Sequence, residues 1–350
     1  MADGVPAQQQ PQPQPPQPQQ PQPQGTTSTG TAIGGTGEIK SVGLLNLTGM
    51  KSPEDLDRIT AISSVGLVLV PQSLAPKLAT IPTASTGGTI IVPDGQRLNV
   101  LTGQTTMTGE ALAGPAGEDA ALVVVGQLVV TSPVEKVGYQ QLIVAGQVIA
   151  PRGSEGALGA RIGQLLGQTL YYPYTEGARV EQIAGQPLGG GVLANVAGQE
   201  TDILLSVGDL VITSPVPKLG YGRLVVVGNL VAPKDSESVL APYVWTTGRA
   251  IYYSGQPRFF AGEDRFSRDF FDLLDGPVTL VLTGKFTVEP DVPRDLLRQK
   301  VTQIVLTGEL AAPKDLVPVL QVLAADKVGK IAVLADKNEE DEEDEEEGAP

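Results

Sequence analysis

Between residues 38 and 335 the chain is a succession of short apolar runs cut by Gly and Pro. The runs at 41–48, 65–70, 89–92, 121–130, 141–149, 169–172, 203–212, 223–231, 250–253, 278–288, 303–310 and 330–334 each predict a strand. Their spacing of roughly 20–29 residues is that of one strand per turn of a repeat array. Val, Ile and Leu fill most positions without a clean apolar/polar alternation, as expected of strands covered on both faces, and parallel pairing follows from that. The chain also repeats itself. Residues 122–151 return at 204–233 with 17 of 30 positions identical, within a longer duplication of 122–173 onto 204–254. The reading is a β-rich repeat solenoid of about twelve coils, with parallel strands and short helices or loops on the return side, resembling a β-helix or a leucine-rich-repeat horseshoe.

Four return segments carry helix signals. Ser52 precedes Pro53, and Leu56, Ile59 and Ile62 share a face, which predicts a helix over about 53–62. Shorter helices are expected at 72–80, 291–299 and 313–324, limited by internal Pro. No Asn ladder of the leucine-rich-repeat kind recurs. Glycine instead takes the mid-strand place at Gly49, Gly126, Gly146, Gly208, Gly228, Gly284 and Gly308. Glycine there marks a bend or a close backbone approach, so stacked corners should align these residues in a row.

Three segments could carry function. The loop TSPVxKxGY occurs at 131–139 and 213–221 and sets Lys136 and Tyr139, then Lys218 and Tyr221, at equivalent places. Two copies could form a repeated binding site; alternatively they shape a turn whose Tyr packs on the neighbouring coil. The Tyr pairs 171–172 and 252–253 end equivalent coils, where alternation should bury one ring and leave the other outside. The segment 257–274 holds Phe259, Phe260, Phe266, Phe270 and Phe271, five of six Phe. It reads as an insertion with a helix from about 263, serving as a core plug or as a contact for another chain. Glu263, Asp264, Asp269 and Asp272 lie among Arg265 and Arg268, which points to pairing rather than to a metal or acid/base site.

Composition narrows the function further. The chain has 350 residues, is 41% hydrophobic but only 4% aromatic, and contains neither Cys nor His. That removes disulfides, thiolate and imidazole metal ligation, and Ser-His-Asp or Cys-His catalysis. With no signal peptide evident, a reducing, cytoplasmic setting is expected. No run of 18 apolar residues predicts a membrane span. The net charge is −15, but Glu339 to Glu347 is an unbroken run of nine carboxylates, leaving about −6 for the rest. Without a basic stripe, nucleic acid is not an expected partner.

Residues 1–37, a Pro/Gln arm and a Gly/Thr linker, and the acidic 336–350 read as disordered tails flanking one repeat domain over 38–335. No cofactor, metal or catalytic residue is assigned. The expected function is a non-enzymatic structural or scaffold protein whose partner is itself, as a homo-oligomer or filament, or another protein. The alternatives are a monomeric ligand- or peptide-binding module using the duplicated loops and, more weakly, a carbohydrate-active β-helix enzyme.

Overall fold

A computed structural model describes residues 37–114, 118–185, 187–324 and 326–334. The expected tails therefore lie outside the described residues, except Gly37, which opens the first strand. The described chain is rich in strand, and its helices are few and short.

Among the described residues, nineteen strands run in chain order. They are β1 (Gly37–Asn46), β2 (Ile59–Pro71), β3 (Thr83–Thr86), β4 (Thr89–Val92), β5 (Arg97–Met107), β6 (Ala120–Val130), β7 (Gln141–Pro151), β8 (Ile162–Tyr172), β9 (Val180–Ala184), β10 (Ile203–Val207), β11 (Leu210–Val211), β12 (Arg223–Val227), β13 (Leu230–Pro233), β14 (Val244–Thr246), β15 (Ala250–Tyr253), β16 (Pro257–Phe266), β17 (Val278–Val288), β18 (Val301–Ala312) and β19 (Asp326–Val333). Every pairing is parallel, between residues 20 to 24 apart in sequence.

The strands do not form one continuous ladder. They fall into five separate sheets: β1 to β4; β5-β6-β7-β8; β9-β10-β12-β14; β11-β13-β15; and β16-β17-β18-β19. Of the expected single solenoid of about twelve coils, the structure shows the parallel strands, in separate sheets of which the third and fourth interleave along the chain. Strands over 83–86, 97–107, 180–184 and 244–246 were not expected, because they lie at sheet edges and carry mixed polar sequence. The segment 257–266 does not interrupt the repeat. It is β16, paired with β17 from Pro257↔Thr279 to Phe266↔Val288. The helix expected from 263 starts only after it.

Among the described residues, the return connections hold seven short α-helices, α1 (Ala75–Leu78), α2 (Gly109–Ala113), α3 (Glu155–Gly159), α4 (Glu237–Leu240), α5 (Arg268–Asp272), α6 (Arg294–Lys300) and α7 (Val317–Leu323), besides short 3-10 segments. The expected helix at 53–62 is a single 3-10 segment, Pro53–Arg58. The connections are short, and each buries one to three large apolar residues, as with Leu74, Leu78 and Ile81 in one connection and Leu316 and Leu320 in another. Leu56, Leu112, Leu158, Leu240, Phe271, Leu297 and Leu320 are all buried, each contributing about 1.5–3 kcal/mol of apolar transfer.

Both faces of the central strands are covered, by different partners. Leu122, Val124, Leu128 and Val130 of β6 join a cluster with Leu112 and Leu158 beneath the return connections. On the opposite face, Ala121 and Val123 pack with Leu44, Leu67 and Ile90 of the first sheet. After the glycine, Val129 packs with Ile203, Leu205 and Val225 of the third. The glycine therefore turns the strand from one neighbour to the next. Val211, Val231 and Ile251 meet Val281 and Val305 in the same way.

That turn fixes glycine at the bend. Gly146 has φ +136°, and a Cβ built on it would lie 1.9 Å from the carbonyl oxygen of Gly126. The column runs Gly103, Gly126, Gly146, Gly167 in the second sheet and Gly262, Gly284, Gly308, Gly329 in the last. The expected row is present at Gly126, Gly146, Gly208, Gly228, Gly284 and Gly308. Gly49 is not in it; Gly66 and Gly87 approach Gly43 and Gly66 instead, while nothing lies within 4 Å of a Cβ on Gly49.

Candidate functional surfaces

The two TSPVxKxGY loops occupy equivalent positions and spend most of their polar groups on neighbouring turns. The Ser132 hydroxyl accepts from the Gly109 backbone N–H at 2.9 Å, as the Ser214 hydroxyl does from Gly190 at 2.8 Å. In the next turn, the Ser154 hydroxyl accepts from the Val134 N–H at 3.0 Å, and the Ser236 hydroxyl from Val216 at 2.9 Å. These hydroxyls satisfy backbone donors that the loops leave outside any strand. Tyr139 and Tyr221 are buried, whereas Lys136 and Lys218 are exposed, Lys218 pairing with Glu200 at 3.1 Å. A repeated binding site would need all four exposed on one face; the burial of both tyrosines matches instead the alternative of a turn whose Tyr packs inward.

Tyr221 donates its hydroxyl to Glu181 at 2.9 Å, and burial together with that carboxylate pushes it up to about 12. Tyr172 and Tyr253 close equivalent strands. The first donates to the Val130 carbonyl at 2.8 Å and the second to Ile212 at 2.9 Å. Burial raises both, Tyr253 to about 12. Their neighbours Tyr171 and Tyr252 are half-buried rather than free, with Lys234 5.9 Å from the Tyr252 ring centroid.

The Phe-rich segment is chiefly core. Phe266 and Phe271 are buried with Phe286, while Phe260 and Phe270 pack against them. Phe266 stacks on Phe286 at 5.8 Å between centroids, and Phe270 meets Phe271 edge-on at 5.0 Å. Phe259 faces the other way, onto Tyr253 and the preceding sheet. Of the carboxylates there, Asp272 pairs with Arg268 at 3.2 Å. Among the described residues, no group of three or more Asp or Glu could hold a metal ion.

Sequence reasoning missed three surface features. A groove of about 370 Å³ between the last two sheets is lined by Asp209, Val211, Phe259, Phe260, Val281 and Thr283, among others. A second, apolar hollow of about 550 Å³ opens beside β3 and β4, with Ile62, Leu78, Ile81 and Ile91 in its wall. The third was legible, because it follows the glycines directly. Gln104, Gln127, Gln147 and Gln168 form one column in register across β5 to β8, and Glu263, Lys285, Glu309 and Lys330 another across β16 to β19. The second column alternates in charge, and Lys330 pairs with Glu309 at 3.1 Å.

None of the described helices is long and apolar enough to cross a membrane. No family model, no curated protein and no solved structure matches the chain.

Proposed function

We propose that the protein is a non-enzymatic structural scaffold that associates with itself, working in a reducing, cytoplasmic compartment, and that each parallel stack with its return connections is a short solenoid. The observation that supports this is the state of the sheet edges. β5 and β8 each run 11 residues with one unpaired side, and neither contains Pro. β8 has no charged residue, and Leu165 and Leu166 on it are 40% and 44% exposed. Folded proteins ordinarily shorten, charge or cover such edges, because an open edge templates pairing with another chain. The duplicated TSPVxKxGY loops, the alternative ligand site, turn their hydroxyls and tyrosines inward.

Light scattering coupled to size-exclusion chromatography, run on the full chain over a hundredfold range of concentration, tests the reading. The expected result is a mass that rises with concentration above the 36.4 kDa monomer. A monomer at every concentration overturns it.

A further inference from the structure

Resting on that self-association reading, we infer that the partner is a second copy stacked head to tail. The first strands of one copy pair in parallel with the last strands of the next, with Glu263 over Lys330 and Gln104 over Gln168.

Three observations converge on this register. The first is charge. The column Glu263, Lys285, Glu309, Lys330 begins on an acid at one edge of its sheet and ends on a base at the other. A copy added in the same orientation continues the alternation without a break. One added in the opposite orientation sets Lys330 near Lys330 or Glu263 near Glu263, and like charges directly opposite destabilise a sheet. The glutamine column can be continued too, but glutamine meets glutamine in either orientation, so the charged column alone sets the direction: Gln127 and Gln147 already meet side chain to side chain at 3.4 Å, and Gln168 and Gln104 are exposed ends.

The second is glycine where the chain itself gives no reason for it. Gly43 on β1 lacks the positive φ of the column, and among the described residues nothing lies within 4 Å of where its Cβ would be. Its followers show what the place is for. A Cβ on Gly66 would come 2.5 Å from the Gly43 carbonyl oxygen, and one on Gly87 would come 2.2 Å from that of Gly66. Each column glycine thus makes room for a carbonyl of the strand before it. Gly43 occupies that place on β1 with no earlier described strand of its own sheet to supply the carbonyl; Gly103 and Gly262 occupy it on β5 and β16, where φ of +76° and +95° also favours glycine. The last strand of another copy supplies one.

The third is apolar surface at the opposite end. Ile91, Leu165 and Leu166 are exposed on β4 and β8, beside the hollow walled by Leu78 and Ile81. All are on or next to last strands. Because the two contacting ends are different surfaces, the contact does not close on itself as a two-fold dimer does, and repetition gives an open filament or a ring.

The chain has no cysteine, so paired cysteines report the register directly. Glu263→Cys/Lys330→Cys and, independently, Gln104→Cys/Gln168→Cys place thiols three strand steps apart within one molecule. At ~4.8 Å per step that separation is about 14 Å, beyond the reach of a disulfide, whereas neighbouring parallel strands of two copies lie within it. Mild oxidation of each folded variant is expected to give a ladder of covalent dimers, trimers and larger species that reductant collapses. The mismatched pair Glu263→Cys/Gln168→Cys is expected to give none.

Covalent dimers and nothing larger from Lys330→Cys alone mean that like ends meet, and overturn the head-to-tail arrangement. Concentration-dependent mass without ladders from either matched pair overturns this interface and leaves self-association standing. Monomers throughout overturn both.

Discussion

Replacing Gly146 with Ala tests the bend on which the architecture turns. Real Cβ atoms essentially never approach another heavy atom within 3.0 Å, yet the added methyl would sit 1.9 Å from the Gly126 oxygen, so the two strands must part by at least about 1.1 Å there. A ladder hydrogen bond near 2.9 Å then stretches to about 4 Å, past the range in which it holds. Losing it leaves half-buried backbone groups unpaired, at up to about 1–3 kcal/mol. Forcing alanine to φ +136° costs a further ~1–3 kcal/mol. The sum, about 2–6 kcal/mol, is a large share of a typical domain's 5–15 kcal/mol.

Two other glycines isolate the parts. Gly153 has φ +96° with nothing within 4 Å, so its alanine carries only the backbone cost; Gly156 lies in α3 with ordinary φ and open space, so its alanine should be neutral or stabilise by up to ~1 kcal/mol. The assay is urea unfolding followed by circular dichroism and by the single tryptophan. Trp245 packs against the cluster that contains Val129 and Ile149, and so reports the contact between the second and third sheets. The expected order of midpoints is Gly156→Ala, Gly153→Ala, Gly146→Ala, highest first. A Gly146→Ala midpoint no lower than that of Gly153→Ala refutes the steric argument.

Two further outcomes follow from the loops and the tyrosines. Ser154→Ala and Ser236→Ala each orphan a buried backbone N–H, so each should destabilise by about 1–2 kcal/mol and by nearly the same amount, as urea midpoints will show. Tyr221 and Tyr253 hold their protons to about 12 when folded but release them near 10 when unfolded. Between those values the native state binds more protons than the unfolded one, so stability present below pH 10 is lost as pH rises toward 12. Thermal unfolding from pH 8 to 12 should show that fall, and Tyr221→Phe/Tyr253→Phe should flatten it.

Much of the local structure was written in the sequence. The parallel strands follow from dense Val, Ile and Leu between Gly and Pro, because a strand covered on both faces has no polar positions to alternate. The glycine column and the equivalence of Tyr172 with Tyr253 follow from the duplication itself. Edge strands were another matter. β5 and β16 lack a covering partner on one side, so RLNVLTGQTTM and PRFFAGEDRF carry polar and aromatic residues, and the second of them imitates a helix. Only the tertiary structure decided how the repeats divide. The same residue types bury against the return connections and against the next sheet, so composition along a strand does not tell Val123 from Val124. Alternation puts them on opposite faces, and the bend at Gly126 then divides the outer face between two neighbours, Val123 meeting the first sheet and Val129 the third.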